Sequence, residues 1–134
     1  MSRLEDQGFE LVQSAPPHGW YLNFNFNNPD IQDVRVRQAI IKSINREEIA
    51  QDLMQGTATP ATSMQTPGNT GYDPEFIDYE YDPQAARELL VEAGYDEGIE
   101  MVFQTSVDGS GQLIPVPIAE RIQSDLAASE SLYI

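Results

Sequence analysis

The chain has 134 residues, which predicts one domain, and its hydrophobic fraction of 40% is typical of a soluble globular protein rather than a disordered one. Its formal charge of −15 argues against a nucleic-acid surface, its lack of cysteine excludes disulfides and thiolate zinc sites, and no apolar run is long enough to span a membrane. Lys42 is the only lysine among seven basic residues, and such an acidic surface fits a salt-adapted protein as well as an ordinary acidic secreted one.

Two strands are predicted near the N terminus, at Phe9–Ala15 and at Trp20–Asn27, with a turn between them at Pro16–Gly19. In the second strand apolar and polar residues alternate, so the two sets face opposite sides. We expect the apolar set to face the core and the amide-rich polar set to be exposed to solvent. Tyr21 lies on the polar side, where an amphipathic aromatic is suited to reach a ligand. The apolar set is Trp20, Leu22, Phe24 and Phe26.

Two helices are predicted next. Asp33 is a favourable N-cap for a helix that runs to about Ile44. Asn45 and, three residues later, Glu48 form a capping-box arrangement for a second helix, which Gly56 is placed to end. The apolar stripe of the first helix is Val36, Ile40 and Ile44.

The remaining chain is predicted to contain a long loop at 57–79, a helix that begins at Asp82-Pro83 and ends at Gly94, and a strand at Glu100–Thr105. A Gly/Ser/Asp loop then leads to a last helix that begins around Pro117. Its apolar stripe is Ile118, Ile122 and Leu126. The order strand, strand, helix, helix, loop, helix, strand, helix predicts an α/β fold with helices packed on a sheet.

No catalytic or metal site is visible in the sequence. His18 is the only histidine, and neither a Ser-His-Asp triad nor a two-histidine metal site can be built around it without help, since the sequence pairs no serine with it; a role in the turn is favoured. The neighbouring carboxylates Glu47–Glu48 and Asp96–Glu97 fit a solvated surface better than acid–base catalysis. The loop Asp108–Gly111 lacks the Lys of a phosphate-binding loop, and no calcium-loop spacing occurs. We therefore predict no enzyme, no metal and no cofactor.

One segment closely resembles a known protein family. Asp33–Ala39 reads DVRVRQA after a Pro29-Asp30 turn, and it is similar to the signature of family 5 of the extracytoplasmic solute-binding proteins, which bind peptides, nickel or oligosaccharides. The resemblance spans about 9–128, which is part of the family's length. Further blocks that resemble the family, in the same order, are Ile44–Ile49, Gln55–Ala61, Tyr81–Tyr95 and Ile118–Leu126.

This resemblance implies a fold. It implies an α/β fold that is part of a periplasmic-binding-protein type II lobe, with a mixed sheet and flanking helices. Residues 1–134 would form a single partial domain, a segment of the C-terminal lobe that includes the irregular loop 57–79. The strand that the family places after its last helix is not recognisable in Ser129–Ile134. We therefore expect an incomplete sheet whose exposed edge favours self-association.

The resemblance also implies a function. Such proteins are the substrate-binding components of ABC importers: they capture peptides or related small solutes by closure of two lobes and then dock on the permease subunits in the membrane. They work outside the cytoplasm, in the periplasm or anchored by a lipid. Met1–Asp6 is polar and shows no signal peptide, which suggests an internal segment or a broken gene. The alternatives are an oligosaccharide-binding member, a truncated remnant without function and, less favoured, a small hydrolase.

The resemblance further suggests where a ligand would bind. In the family, the loop between the strand matching Glu100–Thr105 and the following helix borders the cleft, although a solvated turn explains its polarity equally well. No basic residue lies between Arg87 and Arg121, so the arginine clamp of dipeptide-binding members is absent from this loop. Arg35 and Arg37 are interpreted as structural partners of nearby aspartates. The predicted ligand-binding residues are Tyr21, Gln104, Thr105, Ser106, Asp108 and Ser110.

Overall fold

The computed structural model of the chain describes residues 6–10, 12, 19–108, 113–129 and 132–133. Most of the predicted first strand and His18 lie outside these residues, and Phe9, Glu10 and Val12 are not part of a strand. The elements, in order, are α1 (Pro29–Gln32), α2 (Val34–Ser43), α3 (Arg46–Glu48), a π-helical turn (Ile49–Leu53), α4 (Pro83–Glu92), β1 (Ile99–Glu100), α5 (Pro115–Ala128) and β2 (Leu132–Tyr133).

The centre of the fold is the contact between α2 and α4. Asp33 caps α2 as predicted, because its side chain accepts a hydrogen bond from the backbone N–H of Arg35 at 2.8 Å. Asp82 caps α4 by accepting from the N–H of Ala85 at 2.9 Å, and Pro83 occupies the first helical position. The predicted helices are confirmed. Their buried residues are Val36, Ala39, Ile40 and Ser43 on α2, and Ala86 and Leu90 on α4.

The end of α4 is a Schellman motif built around Gly94, the residue at which the sequence predicted the helix to end. Gly94 has φ +94°, and its N–H donates to the carbonyl of Val91 at 3.0 Å. The N–H of Tyr95 donates to the carbonyl of Leu90 at 2.8 Å. The hydroxyl of Tyr95 then donates to Asp30 Oδ1 at 2.7 Å, so the end of α4 is joined to α1.

The helix after Asn45 departs from regular geometry. Asn45 Oδ1 accepts from the N–H of Glu48 at 3.2 Å, as in a capping box. The reciprocal bond is different, because Glu48 Oε2 accepts from Asn45 Nδ2 while the backbone N–H of Asn45 donates to Asp125 Oδ2 at 3.0 Å. After one α-helical turn the backbone widens into the π-helical turn Ile49–Leu53. Gly56, with φ +70°, follows the end of this turn, as predicted.

Helix α5 completes the core. It begins at Pro115, two residues before the predicted start, and it packs against α2 and the π-helical turn. Its predicted apolar stripe Ile118, Ile122 and Leu126 is buried together with Ile99 of β1. Half-buried side chains packed against this core include Trp20, Leu22, Phe24, Met101 and Phe103. Among the described residues, none of the helices combines the length and the apolarity that a bilayer crossing requires.

The sheet differs from the prediction in three respects, the first being that β1 covers Ile99–Glu100 and not the predicted Glu100–Thr105. In the described part of the chain it has two strands, which are parallel, with Ile99 opposite Leu132 and Glu100 opposite Tyr133; the predicted mixed sheet is not present there. The expectation that no strand returns after the last helix is wrong, because β2 follows α5 and pairs with β1. The sequence motif of the family is absent, but α5 is about 21 Å long and carries the chain back along β1.

The predicted strand at Trp20–Asn27 is also not formed, although its alternation of burial persists. Trp20, Leu22 and Phe24 are half-buried, whereas Phe26 is 58% exposed. The expectation that Phe26 faces the core is wrong because a turn begins at Asn25, whose carbonyl accepts from the N–H of Asn28 at 3.0 Å. The ring of Phe26 instead lies 5.0 Å below the guanidinium of Arg37.

Candidate functional site

The predicted ligand-binding loop follows β1 and starts from an anchored residue. Phe103 is half-buried and packs against the core, and each polar residue from Gln104 to Asp108 is exposed. Ser110 lies outside the described residues. The loop ends at α5, so both of its ends join elements of the core. The predicted site residues that the structure describes in this loop are Gln104, Thr105, Ser106 and Asp108.

Tyr21, the other predicted ligand-binding residue, is directed toward a different segment. Its hydroxyl donates a hydrogen bond to the carbonyl of Met64, in the loop 57–79, at 3.0 Å. Its ring lies so close to Gly19 that a Cβ at position 19 would overlap the Tyr21 side chain, so a larger residue there would require the ring to move. The ring remains 39% exposed. The hydroxyl of Tyr21 is therefore joined to Met64 and not to the loop that begins at Gln104.

Two shallow cavities adjoin the predicted loop and share Val116. The walls of the first are mostly apolar, and those of the second are polar and apolar in about equal measure. Each contains one carboxylate, and no basic side chain lines either of them. The first has a volume of about 190 Å³ and is lined by Phe103, Thr105, Val116, Ala119, Glu120 and Gln123. The second has a volume of about 330 Å³ and is lined by Val107, Asp108, Leu113, Ile114, Pro115, Val116 and Pro117.

The lining residues on α5 are ones that sequence reasoning missed. Val116, Ala119, Glu120 and Gln123 follow the spacing i, i+3, i+4, i+7, which places them on one flank of the helix. This spacing was visible in the sequence. It was overlooked because the flank mixes apolar and polar residues, so it does not form an apolar stripe of the kind used to identify core positions.

The opposite flank of α5 is held by charged groups. Arg121 donates to Glu48 Oε1 at 2.6 Å and contacts Glu48 Oε2 at 2.5 Å, while its Nε donates to Asp125 Oδ1 at 2.7 Å. Asp125 is buried, and its other oxygen accepts from the backbone N–H of Asn45. We call Asn45, Glu48, Arg121 and Asp125 the α5 network. It joins α5 to the start of α3 and sets which flank of α5 is turned toward the cavities.

The protonation equilibria agree with this geometry. The hydrogen bonds that Arg121 donates to Glu48 and then to Asp125 raise the pKa of its guanidinium above the ordinary value. The hydrogen bond from Arg121 lowers the pKa of Glu48 in return. Arg121 therefore stays charged and paired, and it is directed away from the cavity flank that its neighbour Glu120 helps to line.

Arg35 and Arg37 of the DVRVRQA segment both make contacts within the fold. Arg35 binds an aspartate, as predicted, and Arg37 binds backbone carbonyls. Arg35 binds Asp33 with an Nη2–Oδ2 distance of 2.6 Å, and its hydrogen bonds lower the pKa of Asp33 to about 2. The Nη1 of Arg37 donates to the carbonyls of Ile31 and Gln32 at 2.6 and 2.9 Å, and among the described residues no ion pair joins Arg37 to an aspartate. The predicted aspartate partner of Arg37 is therefore not a direct contact, although the charge of Arg37 helps to lower the pKa of Asp33.

Another arginine ties down the loop 57–79. Arg46 Nη1 donates to the carbonyl of Ala61 at 3.1 Å, and its Nη2 donates to the carbonyl of Tyr79. Burial lowers the pKa of Arg46 from its ordinary value. Gln38 on α2 donates to the hydroxyl of Tyr79 at 3.3 Å. Both ends of this loop are therefore joined to helices.

The first cavity beside the loop combines a few polar groups with apolar walls. The first cavity offers a hydroxyl, a carboxylate and an amide next to apolar walls. None of its lining residues is a histidine, cysteine or lysine that would act as an activated nucleophile or base. Among the residues that the structure describes, no group of three or more His, Cys, Asp or Glu side chains is placed to hold a metal ion.

Comparison with known proteins gives a consistent result. Residues 2–129 match the family model described as bacterial extracellular solute-binding proteins, family 5 middle. The chain is 32% identical to the dipeptide-binding protein of Escherichia coli K12 over 124 residues. This alignment covers 92% of this chain and 23% of that protein. It is 35% identical over 123 residues to heme-binding protein A of Haemophilus influenzae, which covers 91% of this chain and 22% of that protein. The chain thus spans under a quarter of the length of these relatives.

Two solved structures that resemble this chain are also peptide-binding proteins. The dipeptide-binding protein from Pseudoalteromonas sp. SM9913 in complex with Met-Leu superposes with a TM-score of 0.67 at 30% identity, over 83% of this chain and 22% of that one. The ABC transporter-associated periplasmic binding protein from Helicobacter pylori in complex with the peptide STSA gives a TM-score of 0.60 at 30% identity. The superposition covers 81% of this chain and 19% of that one. Both likenesses cover the greater part of the described residues.

Proposed function

The chain belongs to family 5 of the bacterial extracellular solute-binding proteins, and from this membership we propose that it serves in the substrate-binding component of an ABC importer for peptides. The observation that carries the proposal is the family match over 2–129, nearly the whole chain. Its support comes from two structural neighbours at 30% identity, one solved with a dipeptide and one with a four-residue peptide.

The proposed mechanism is binding without chemistry. The peptide is captured between two lobes that close around it, and the closed form docks on the permease subunits. A ligand shifts this equilibrium only by the difference between its affinities for the closed and open forms. This chain contributes one wall of the cleft. In a complete type II lobe, the mixed sheet extends beyond the two strands β1 and β2. The proposed location is outside the cytoplasm.

Within this segment, the proposed contact surface is the loop from Gln104 to Ser110, with Tyr21 as a second contact. The solvent exposure of Gln104, Thr105, Ser106 and Asp108 supports it, because a ligand must be able to reach the side chains that it contacts. The polarity of the side chains suits a peptide backbone, whose amide and carbonyl groups need partners when they leave water.

A titration followed by two-dimensional NMR tests this proposal on the ¹⁵N-labelled chain. One wall of a cleft supplies only part of the ligand contacts, so we expect weak binding of dipeptides, in the millimolar range, with shifts at Thr105, Ser106 and Asp108. Cellobiose serves as the comparison for an oligosaccharide ligand. Shifts caused by cellobiose and not by dipeptides would replace the peptide assignment, and no shift with either ligand would contradict the site.

A pair of variants makes the test specific to the loop. Thr105→Val removes a hydroxyl at the proposed site while keeping the shape of the side chain, and we expect it to weaken dipeptide binding severalfold. Thr70→Val makes the same change in the exposed loop 57–79 and should leave binding unchanged. Equal effects of the two variants would show that the loop does not contact the peptide.

A further inference from the structure

We propose that the first cavity, between the loop and α5, holds a cationic side chain of the bound peptide and that the carboxylate of Glu120 is its counter-charge. This inference rests on the proposed peptide-binding function and adds a ligand class to it. A peptide that carries lysine or arginine would be preferred over one that carries glutamate or aspartate.

The walls of the cavity match the stem of such a side chain. Phe103, Val116 and Ala119 supply apolar surface, while Thr105, Glu120 and Gln123 supply the polar groups. Lysine and arginine bury their alkyl stems along apolar surface and keep the charged head at a polar edge. The volume of about 190 Å³ is sufficient for one side chain of this size. A free ammonium without a stem would leave the apolar wall unused.

The charge of the cavity selects a cation. Glu120 is the only charged residue among the six that line it, and no lysine or arginine occurs between Arg87 and Arg121. Arg121, its neighbour in sequence, is bound to Glu48 and Asp125 on the opposite flank of α5. The chain as a whole carries a formal charge of −15, which attracts cationic ligands over a longer range.

The cavity also lies where a bound peptide would place a side chain. Thr105 belongs both to the predicted ligand-binding loop and to the cavity lining, and Val116 joins this cavity to the second one beneath the loop. A peptide whose backbone meets the polar groups of the loop therefore has the apolar wall of α5 within one side-chain length. Specificity in such an arrangement comes from the pocket, and the loop supplies contacts shared by all peptides.

The experiment compares three dipeptides in the NMR titration: Ala-Lys, Ala-norleucine and Ala-Glu. Norleucine keeps an alkyl stem like that of lysine and lacks the ammonium, so the pair isolates the charge. We expect the affinity order Ala-Lys, then Ala-norleucine, then Ala-Glu. Glu120→Gln should reduce the advantage of Ala-Lys over Ala-norleucine by about fivefold and leave the affinity for Ala-norleucine within about twofold, because a single exposed ion pair contributes roughly 1 kcal/mol or less.

A matched control separates local contact from net charge. Glu97→Gln makes the same change in charge at an exposed turn before β1, away from the loop, and should leave the lysine preference intact. Equal affinities for the three dipeptides, or an equal loss of preference in both variants, would overturn the cation site while leaving peptide binding in place. A chain that binds none of the dipeptides would instead refute the proposed function.

Discussion

Replacing Asp125 by alanine is expected to lower the free energy of unfolding by about 2–4 kcal/mol. Asp125 is 6% exposed, and its oxygens accept from Arg121 Nε at 2.7 Å and from the backbone N–H of Asn45 at 3.0 Å. The substitution leaves the amide of Asn45 without this acceptor and leaves Arg121 with Glu48 alone.

The magnitude follows from the two bonds. A buried donor that loses its acceptor costs about 1–3 kcal/mol. Breaking a fully buried ion pair costs about 3–5 kcal/mol, but the Arg121 side chain is 30% exposed and keeps Glu48 as a partner. Its contribution is therefore closer to that of a surface pair, about 1 kcal/mol. The sum of the two losses gives the expected range.

Urea unfolding followed by circular dichroism measures this change. Asp96→Ala is the control, because it removes one negative charge at an exposed turn and so corrects for relief of repulsion in a chain of charge −15. We expect the control to stay within about 0.5 kcal/mol of the unchanged chain. If Asp125→Ala also stayed within that limit, the α5 network would not hold α5 in place.

Three further predictions concern acid, a helix end and salt. The hydrogen bonds of Arg35 lower the pKa of Asp33 from 3.8 to about 2, so the stability that Asp33 supplies is complete above about pH 4 and is lost as the pH falls toward 2. The substitution Asp33→Asn should therefore flatten this part of the acid-unfolding curve. An unaltered curve would contradict the pairing of Asp33 with Arg35. Gly94→Ala should lower the free energy of unfolding by about 1–2 kcal/mol in urea, because φ is +94° there; no loss would be inconsistent with the Schellman geometry. Molar KCl should raise the melting temperature above its value in dilute buffer, because salt screens repulsion among 22 acidic residues, and an equal or lower temperature would count against salt adaptation.

The helices were predictable because their signals are local. Asp33, Asp82 and Gly94 act on backbone groups within three or four residues of themselves, so their roles follow from sequence spacing alone. The apolar stripe of α5 was equally readable. In each case the structure adds the distance and the partner atom, and the element itself was already indicated.

The features that sequence reasoning missed depend on distant partners. The strand β2 exists because α5 returns the chain to Ile99, 33 residues before Leu132, and no pattern in its own two residues indicates this. The backbone N–H of Asn45 donates to Asp125, 80 residues away, which explains why the capping box closed differently. Phe26 turned outward because Asn25 formed a turn, a choice that alternation alone does not reveal.

Helix α5 connects the stability of the fold to the candidate site. Its network flank is bound to Asn45 and Glu48, its stripe is buried in the core, and its remaining flank lines the cavity that contains Thr105. The loop before it is held at one end by Phe103 and at the other by Pro115, both outside the polar segment that faces solvent. The position of the loop therefore depends on contacts made elsewhere. Residues 104–108 are exposed and lie outside the buried core, so on the proposed function substitutions there, or at Glu120, would alter ligand preference with little effect on the packing of the fold.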